Sequence, residues 1–100
     1  METNMKETTE QKYIIRCDRA GVFYAAVTRR DGSEADLAYA RRVYYWEGAA
    51  SLSQLALEGC KPSSKLTVSV PTMTVLGVIE VIPCSEKAVE ILDGIKEWRA

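Results

Sequence analysis

Histidine is absent from the 100 residues. That removes imidazole general-base catalysis and His-ligated zinc. Cysteine is scarce. Cys17, Cys60 and Cys84 stand far apart, form no C-x-x-C pair, and are odd in number, so they cannot close a disulfide framework. They read as largely buried thiols of a reducing compartment, and their spacing asks for no metal. Neither charge sign is in excess, since 13 Lys+Arg against 14 Asp+Glu give a net charge of -1. A globally basic nucleic-acid binder and an acidic tail protein are thereby excluded, although a local basic patch is not. Long apolar runs are also lacking. The longest, near Val75–Ile82, is broken by Gly77 and Glu80 and falls short of the roughly 20 residues that span a bilayer. The opening METNMKETTEQ has no signal-peptide core. A soluble, cytoplasmic protein with no membrane partner is expected.

What is present is a chain that is 47% hydrophobic, enough for a packed core in one domain. Residues 1–11 read as a flexible N-terminal arm and 12–100 as a single α+β domain. Tyr13 to Asp18 is strand-prone, with Tyr13, Ile15 and Cys17 on one face. Val22 to Arg29 reads as a second strand, and Arg30-Asp31-Gly32-Ser33 as a hairpin turn. Glu34 to Trp46 is long for one strand, so a bend or bulge is expected near Ala38–Ala40. Ser51 with Gln54 fits a capping box for a short helix that Gly59 ends. Leu66 to Val70 reads as a strand stopped by Pro71, and Met73 to Ile82 as another with a bulge at Gly77. Ser85 caps a last helix whose core face is Ala88, Ile91, Leu92 and Ile95, with Trp98 folding back onto the sheet. The sum is a curved, mostly antiparallel sheet of about five strands with two short helices, in the order β-β-β-α-β-β-α.

Chemistry concentrates in the arginines. Six of the seven lie between Arg16 and Arg42. A guanidinium fork fits phosphate bidentately and stacks on rings, although ordinary cross-strand ion pairs would use the same residues. The run from Arg41 to Gly48 is the most suggestive. In a strand, Arg42, Tyr44 and Trp46 share one face, and Arg41, Val43 and Tyr45 the other. A cation beside two rings is a stacking platform for a base, and it is also what a packed sheet with a snorkelling arginine looks like. The parity of this strand decides which set is exposed. The turn from Gly48 to Ser51 opens a helix with small residues, so its backbone amides are candidates for anion contact. Catalysis is not expected. No pair of carboxylates has a fixed spacing, Ser51 and Ser53 have no histidine partner, and Cys60 follows a helix C-terminus, which disfavours a thiolate. No cofactor is expected.

The segment Arg41 to Ala56, reading RRVYYWEGAASLSQLA, resembles the core of a largely uncharacterised family of small phage- and prophage-encoded proteins. Glu80-Val81-Ile82-Pro83-Cys84-Ser85-Glu86 and Trp98 fit the same resemblance. It implies a phage accessory protein acting in the host bacterial cytoplasm and assigns no residue a role. With that context, the leading expectation is a non-enzymatic, oligomeric binding protein that sequesters a phosphate-bearing ligand, such as a cyclic nucleotide or oligonucleotide immune signal of the host. Arg41 or Arg42 would hold phosphate, Tyr44 and Trp46, or Tyr45, would stack on bases, and Gly48 to Ser51 would offer amides. The alternative is an interaction module that inhibits a host protein, or an accessory virion component, since Arg, Tyr and Trp also dominate interface hot spots. Nucleic acid as such is the least expected partner.

Overall fold

The computed structural model describes residues 11–100, so the expected arm over 1–11 lies outside the described residues except for Gln11. The elements are β1 (Tyr13–Cys17), β2 (Gly21–Asp31), β3 (Glu34–Tyr45), α1 (Leu52–Glu58), β4 (Lys65–Leu66), β5 (Val70–Val75), β6 (Val78–Pro83) and α2 (Glu86–Asp93). The fold is α+β, and the paired strands run antiparallel in the order β4-β3-β2-β1-β6, with β5 also on β3. An isolated parallel bridge joins Leu66 to Glu97.

Six strands form where about five were expected. The apolar stretch Met73 to Ile82 is not one strand with a bulge. Leu76 and Gly77 separate β5 from β6, and the two lie on opposite edges, β5 on β3 and β6 on β1. Two residues span only about 7 Å, so the sheet must curl until its edges approach at this corner. Asp18 N donates to Gly77 O at 2.7 Å and Val78 N to Ser33 O at 2.9 Å, closing it. Pro71 lies inside β5 rather than stopping a strand before it. β5 pairs with β3 and is otherwise an edge, where a missing N–H is tolerated. The preceding strand shrinks to Lys65 and Leu66.

Both sheet faces are buried, by different means. Ile14, Tyr24, Val43 and Leu66 pack beneath the helices with Leu55, Ala56, Ala88 and Leu92. Ile15, Phe23, Leu37, Ala40, Val75 and Val78 fill the inside of the curl. Alternation along a strand sends Ile14 to one core and Ile15 to the other.

β3 carries the expected bulge. It runs from Ala38 opposite Ala26 to Arg41 opposite Tyr24, three steps against two, so one extra residue is inserted. Tyr39 takes a left-handed φ of 52° there. The insertion reverses the face that odd-numbered positions occupy. Ala35 and Leu37 enter the curl before it, and Ala40 enters after it. Arg41 and Val43 consequently fall on the helix side.

The helix ends follow their sequence signals. Ser51 Oγ accepts from Gln54 N at 3.2 Å, Gln54 Oε1 accepts from Ala50 N at 2.7 Å, and Ser85 Oγ accepts from Ala88 N at 3.0 Å. Gly59 ends α1 at φ 78°, and a Cβ built there would stand 2.9 Å from Ile91 Cγ2 of α2. Gly59→Ala is therefore expected to lower unfolding free energy by about 1–3 kcal/mol through a strained φ and overpacking. Urea denaturation with an unchanged slope would read this loss.

Candidate functional site

The neighbouring arginines of β3 part company at the bulge. Arg41 is only 7% exposed. Its Nε donates to Thr67 O at 2.9 Å, Nη1 to Leu92 O at 3.1 Å and Nη2 to Leu66 O at 3.1 Å. It is thus committed to carbonyls of β4, the residue after it, and the last turn of α2. Burial pushes its pKa down, although a guanidinium stays charged throughout the working range. Arg42 emerges on the opposite, curl-side face. Its guanidinium lies over the Phe23 ring at 4.7 Å and Nη1 donates to Ala20 O. A cavity of about 450 Å³ opens beside it, with Arg19 on its rim and Phe23 and Val75 in its lining.

The other arginines of the expected basic cluster divide by partner. Arg29 is held by Asp36, Glu34 and Asp31, and Arg16 by Glu80 at 3.6 Å. Among the described residues, Arg19, Arg30 and Arg42 form no ion pair with a carboxylate, and Arg30 donates to Gly32 O at 3.2 Å in its own hairpin. Arg19 and Arg42 are the arginines left to meet an anion beside the Phe23 cavity.

Tyr44 follows Arg42 on the same face and is 62% exposed. Its ring stacks on Trp98, with centroids 4.7 Å apart and planes 20° from parallel. Trp98 reaches it because the chain after α2 runs beside β4, with Trp98 N donating to Leu66 O at 2.9 Å. Lys65 Nζ stands 5.2 Å from the Trp98 centroid and 5.9 Å from that of Tyr45. The helices cover the other side of the sheet, and the curl covers only part of this one. Tyr44, Trp98 and Lys65 thus form a cationic and aromatic strip on open sheet, with Arg42 two residues before Tyr44 on the same strand. Trp98 was legible only as a ring folding back on the sheet, and Lys65 carried no signal.

Of the remaining expected site residues, Tyr45 borders the strip at Lys65, while Trp46, Gly48 and Ser51 stand apart from it. Tyr45 is partly exposed at the strand end and its hydroxyl donates to Glu47. Glu47 is also bound by Ser63 Oγ at 2.5 Å, and these two hydroxyls, Ser63 first, hold its carboxyl below the usual range. Trp46 is half-buried against the helix-side core and donates Nε1 to Ala49 O at 3.2 Å. A residue beyond the paired strand no longer follows its alternation, so Trp46 leaves the face of Tyr44. Gly48 takes φ 92°, and the space of its missing Cβ is filled by Lys61 Cγ at 2.8 Å. Ser51 is spent as the N-cap, and the Ala50 amide on Gln54. Of the turn's amides, that of Ala50 is thereby taken by its own helix and is not available as part of an anion cradle.

A second cavity, of about 290 Å³, lies on the helix side, where Arg41, Tyr24, Asp93 and Tyr39 contribute to its lining. Tyr24 Oη donates to Asp93 Oδ1 at 2.8 Å. Tyr39 is 58% exposed despite its left-handed backbone. That conformation costs a non-glycine residue about 1–2 kcal/mol, and the exposed ring returns little of it by burial.

The fold defines the class: a small α+β protein with two helices on one face of a curled sheet and the other face partly open. The chain matches, over residues 10–92, the family described as Domain of unknown function (DUF6948), and it belongs to that family. Arg42, Tyr44 and Lys65 fall within the match and Trp98 beyond it. No curated protein matches the chain, and no solved structure does. Among the described residues, no helix is long and apolar enough to cross a membrane.

Two outcomes are expected from this geometry. Arg41→Met keeps the stem and removes all three charge-assisted hydrogen bonds. It should destabilise by about 2 kcal/mol or more in urea. The second concerns alkali. Burial pushes the Cys84 thiol from 9.0 up to about 12, and burial with the Asp93 hydrogen bond pushes Tyr24 well above 10.0. The folded state then keeps protons the unfolded chain releases, so stability should be complete below pH 9 and fall as pH rises through 9 to 12. Melting temperature against pH checks this, and Tyr24→Phe should flatten the fall above pH 10.

Proposed function

We propose that this protein is a non-catalytic binding protein that captures a phosphate-bearing, base-containing ligand on the open sheet face. The observation that carries the proposal is the exposed Tyr44–Trp98 stack beside Arg42 and Lys65. An aromatic face accepts any base by stacking, and adjacent cations hold phosphate. Arg19 extends the cationic rim for a further phosphate. A second copy facing the first would supply the missing wall, which favours a homo-oligomer. In a phage setting, the fitting ligand is a cyclic nucleotide or oligonucleotide signal of host immunity, sequestered in the host cytoplasm rather than processed.

A protein partner is the second reading. It is favoured by the same strip, since Tyr44, Tyr45 and Trp98 are all exposed beside arginine, the residue types that dominate interface hot spots.

Thermal melting against a panel of cyclic di- and oligonucleotides tests the choice. A ligand at a hundredfold excess over its Kd adds about 2.7 kcal/mol, moving the melting point by roughly 10 °C. Trp98→Ala and Arg42→Glu should each abolish that shift while melting within a few degrees of the parent. No shift across the panel would overturn nucleotide capture and leave the protein-partner reading, in which Trp98→Ala should instead lose a host protein on pull-down.

A further inference from the structure

We propose that the helix-side cavity is a separate binding site for a small organic monocarboxylate, with the carboxylate on Arg41 and the ligand body against Tyr39. Three observations converge there. The first is charge. Arg41 lines the cavity while more than nine-tenths buried, and no carboxylate among the described residues lies within ion-pair distance of it. The two acids nearby are committed elsewhere: Asp93 to Lys12 at 3.5 Å and to Tyr24 Oη, Glu97 to Arg99 at 2.7 Å. The second is donor capacity. A guanidinium has five N–H groups, and Arg41 directs three at carbonyls. Two remain on the terminal nitrogens, beside a cavity with room for a small organic molecule.

The third is strain. Tyr39 holds a left-handed φ of 52° at the bulge, where glycine would sit without cost, yet its ring is largely in solvent at the cavity rim. The bulge explains the backbone conformation but not the choice of an exposed ring over glycine there, and such an outlier points to a role for the ring. Ring and bulge are coupled, since the inserted residue is also what turns Arg41 to this side. The ligand's class follows from the walls. Arg41 requires one negative charge. Lys12 also lines the cavity but is offset by Asp93 at 3.5 Å, and Glu97 opposes a second negative charge, which disfavours phosphate dianion. Tyr39 and Ile95 offer apolar and aromatic surface to the remainder.

Benzoate is the probe, with benzyl alcohol, acetate and inorganic phosphate as controls, on the full chain. Nitrogen-edited NMR follows the Arg41 Nε–H, and melting follows the fold. Benzoate at millimolar concentration is expected to shift the Arg41 signal saturably, and benzyl alcohol of the same shape is not. Tyr39→Gly is expected to weaken benzoate at least tenfold while melting at or above the parent temperature. Four results would overturn the proposal. They are no saturable Arg41 shift with benzoate, an equal response to inorganic phosphate, undiminished benzoate affinity in Tyr39→Gly, or a Tyr39→Gly protein that melts several degrees lower. The last would make the ring part of the fold. A nucleotide response confined to Trp98 leaves this site unaffected, so the two binding proposals fail separately.

Discussion

Arg41 ties together parts of the chain that nothing else joins so directly. Its guanidinium gathers the carbonyls of Leu66 and Thr67 beside β3 and that of Leu92 in the last turn of α2. β4 is two residues long and could not hold its place by ladder hydrogen bonds alone. α2 has no basic residue of its own in its last turn, so Arg41 supplies the positive charge that the helix C-terminus favours. Leu66 O also accepts from Trp98 N at 2.9 Å. The same carbonyl therefore fixes the C-terminal segment against β4. A methionine-like residue could fill the volume of Arg41, but it could not set the positions of three backbone segments at once.

That role depends on one inserted residue. Without the bulge at Tyr39, the strand's alternation would carry Arg41 to the curl side and Arg42 to the helices. Arg42 would then be the buried cation and Arg41 the neighbour of Phe23. The strained backbone at Tyr39 is thus part of what separates a buried arginine from an exposed one, since β3 has to serve both a helix-packed core and a curled one.

The local features of the fold were legible because their causes are local. Gly32-Ser33 made the hairpin, Ser51 with Gln54 and Ser85 capped the helices, and the length of Glu34–Trp46 demanded a bulge near Ala38–Ala40. What was not legible depends on distant partners. Two adjacent arginines are indistinguishable until the register of β3 against β2 is known. The apolar run Met73 to Ile82 reads as one strand because nothing in it reveals that its halves pair with β3 and β1. Of the candidate site, Arg42 and Tyr44 were visible as a same-face pair. Trp46 was wrongly added to them by extending strand alternation past Tyr45. Lys65 reaches the end of β3 only through the pairing of β4 with it, and Trp98 reaches Tyr44 only through the parallel contact of the C-terminal segment with β4.

The C-terminal segment borders both of the proposed sites. Ile95 is buried in the helix-side core, Glu97 lines the helix-side cavity, and Trp98 stacks on the open face. An extended chain sends alternate side chains to opposite sides, so one short stretch beside β4 furnishes a wall of each site without a further element. The open face needs such an economy. Two helices of seven and eight residues suffice to bury one side of the sheet and leave nothing for the other. The Tyr44–Trp98 stack removes some apolar surface from water there while both rings stay partly exposed. A packed third helix would bury the rings more completely, and it would also remove an aromatic surface on which a ligand or partner could settle. The arrangement therefore sets stability against access at the same residues, and Lys65 and Arg42 keep the exposed rings bordered by charge.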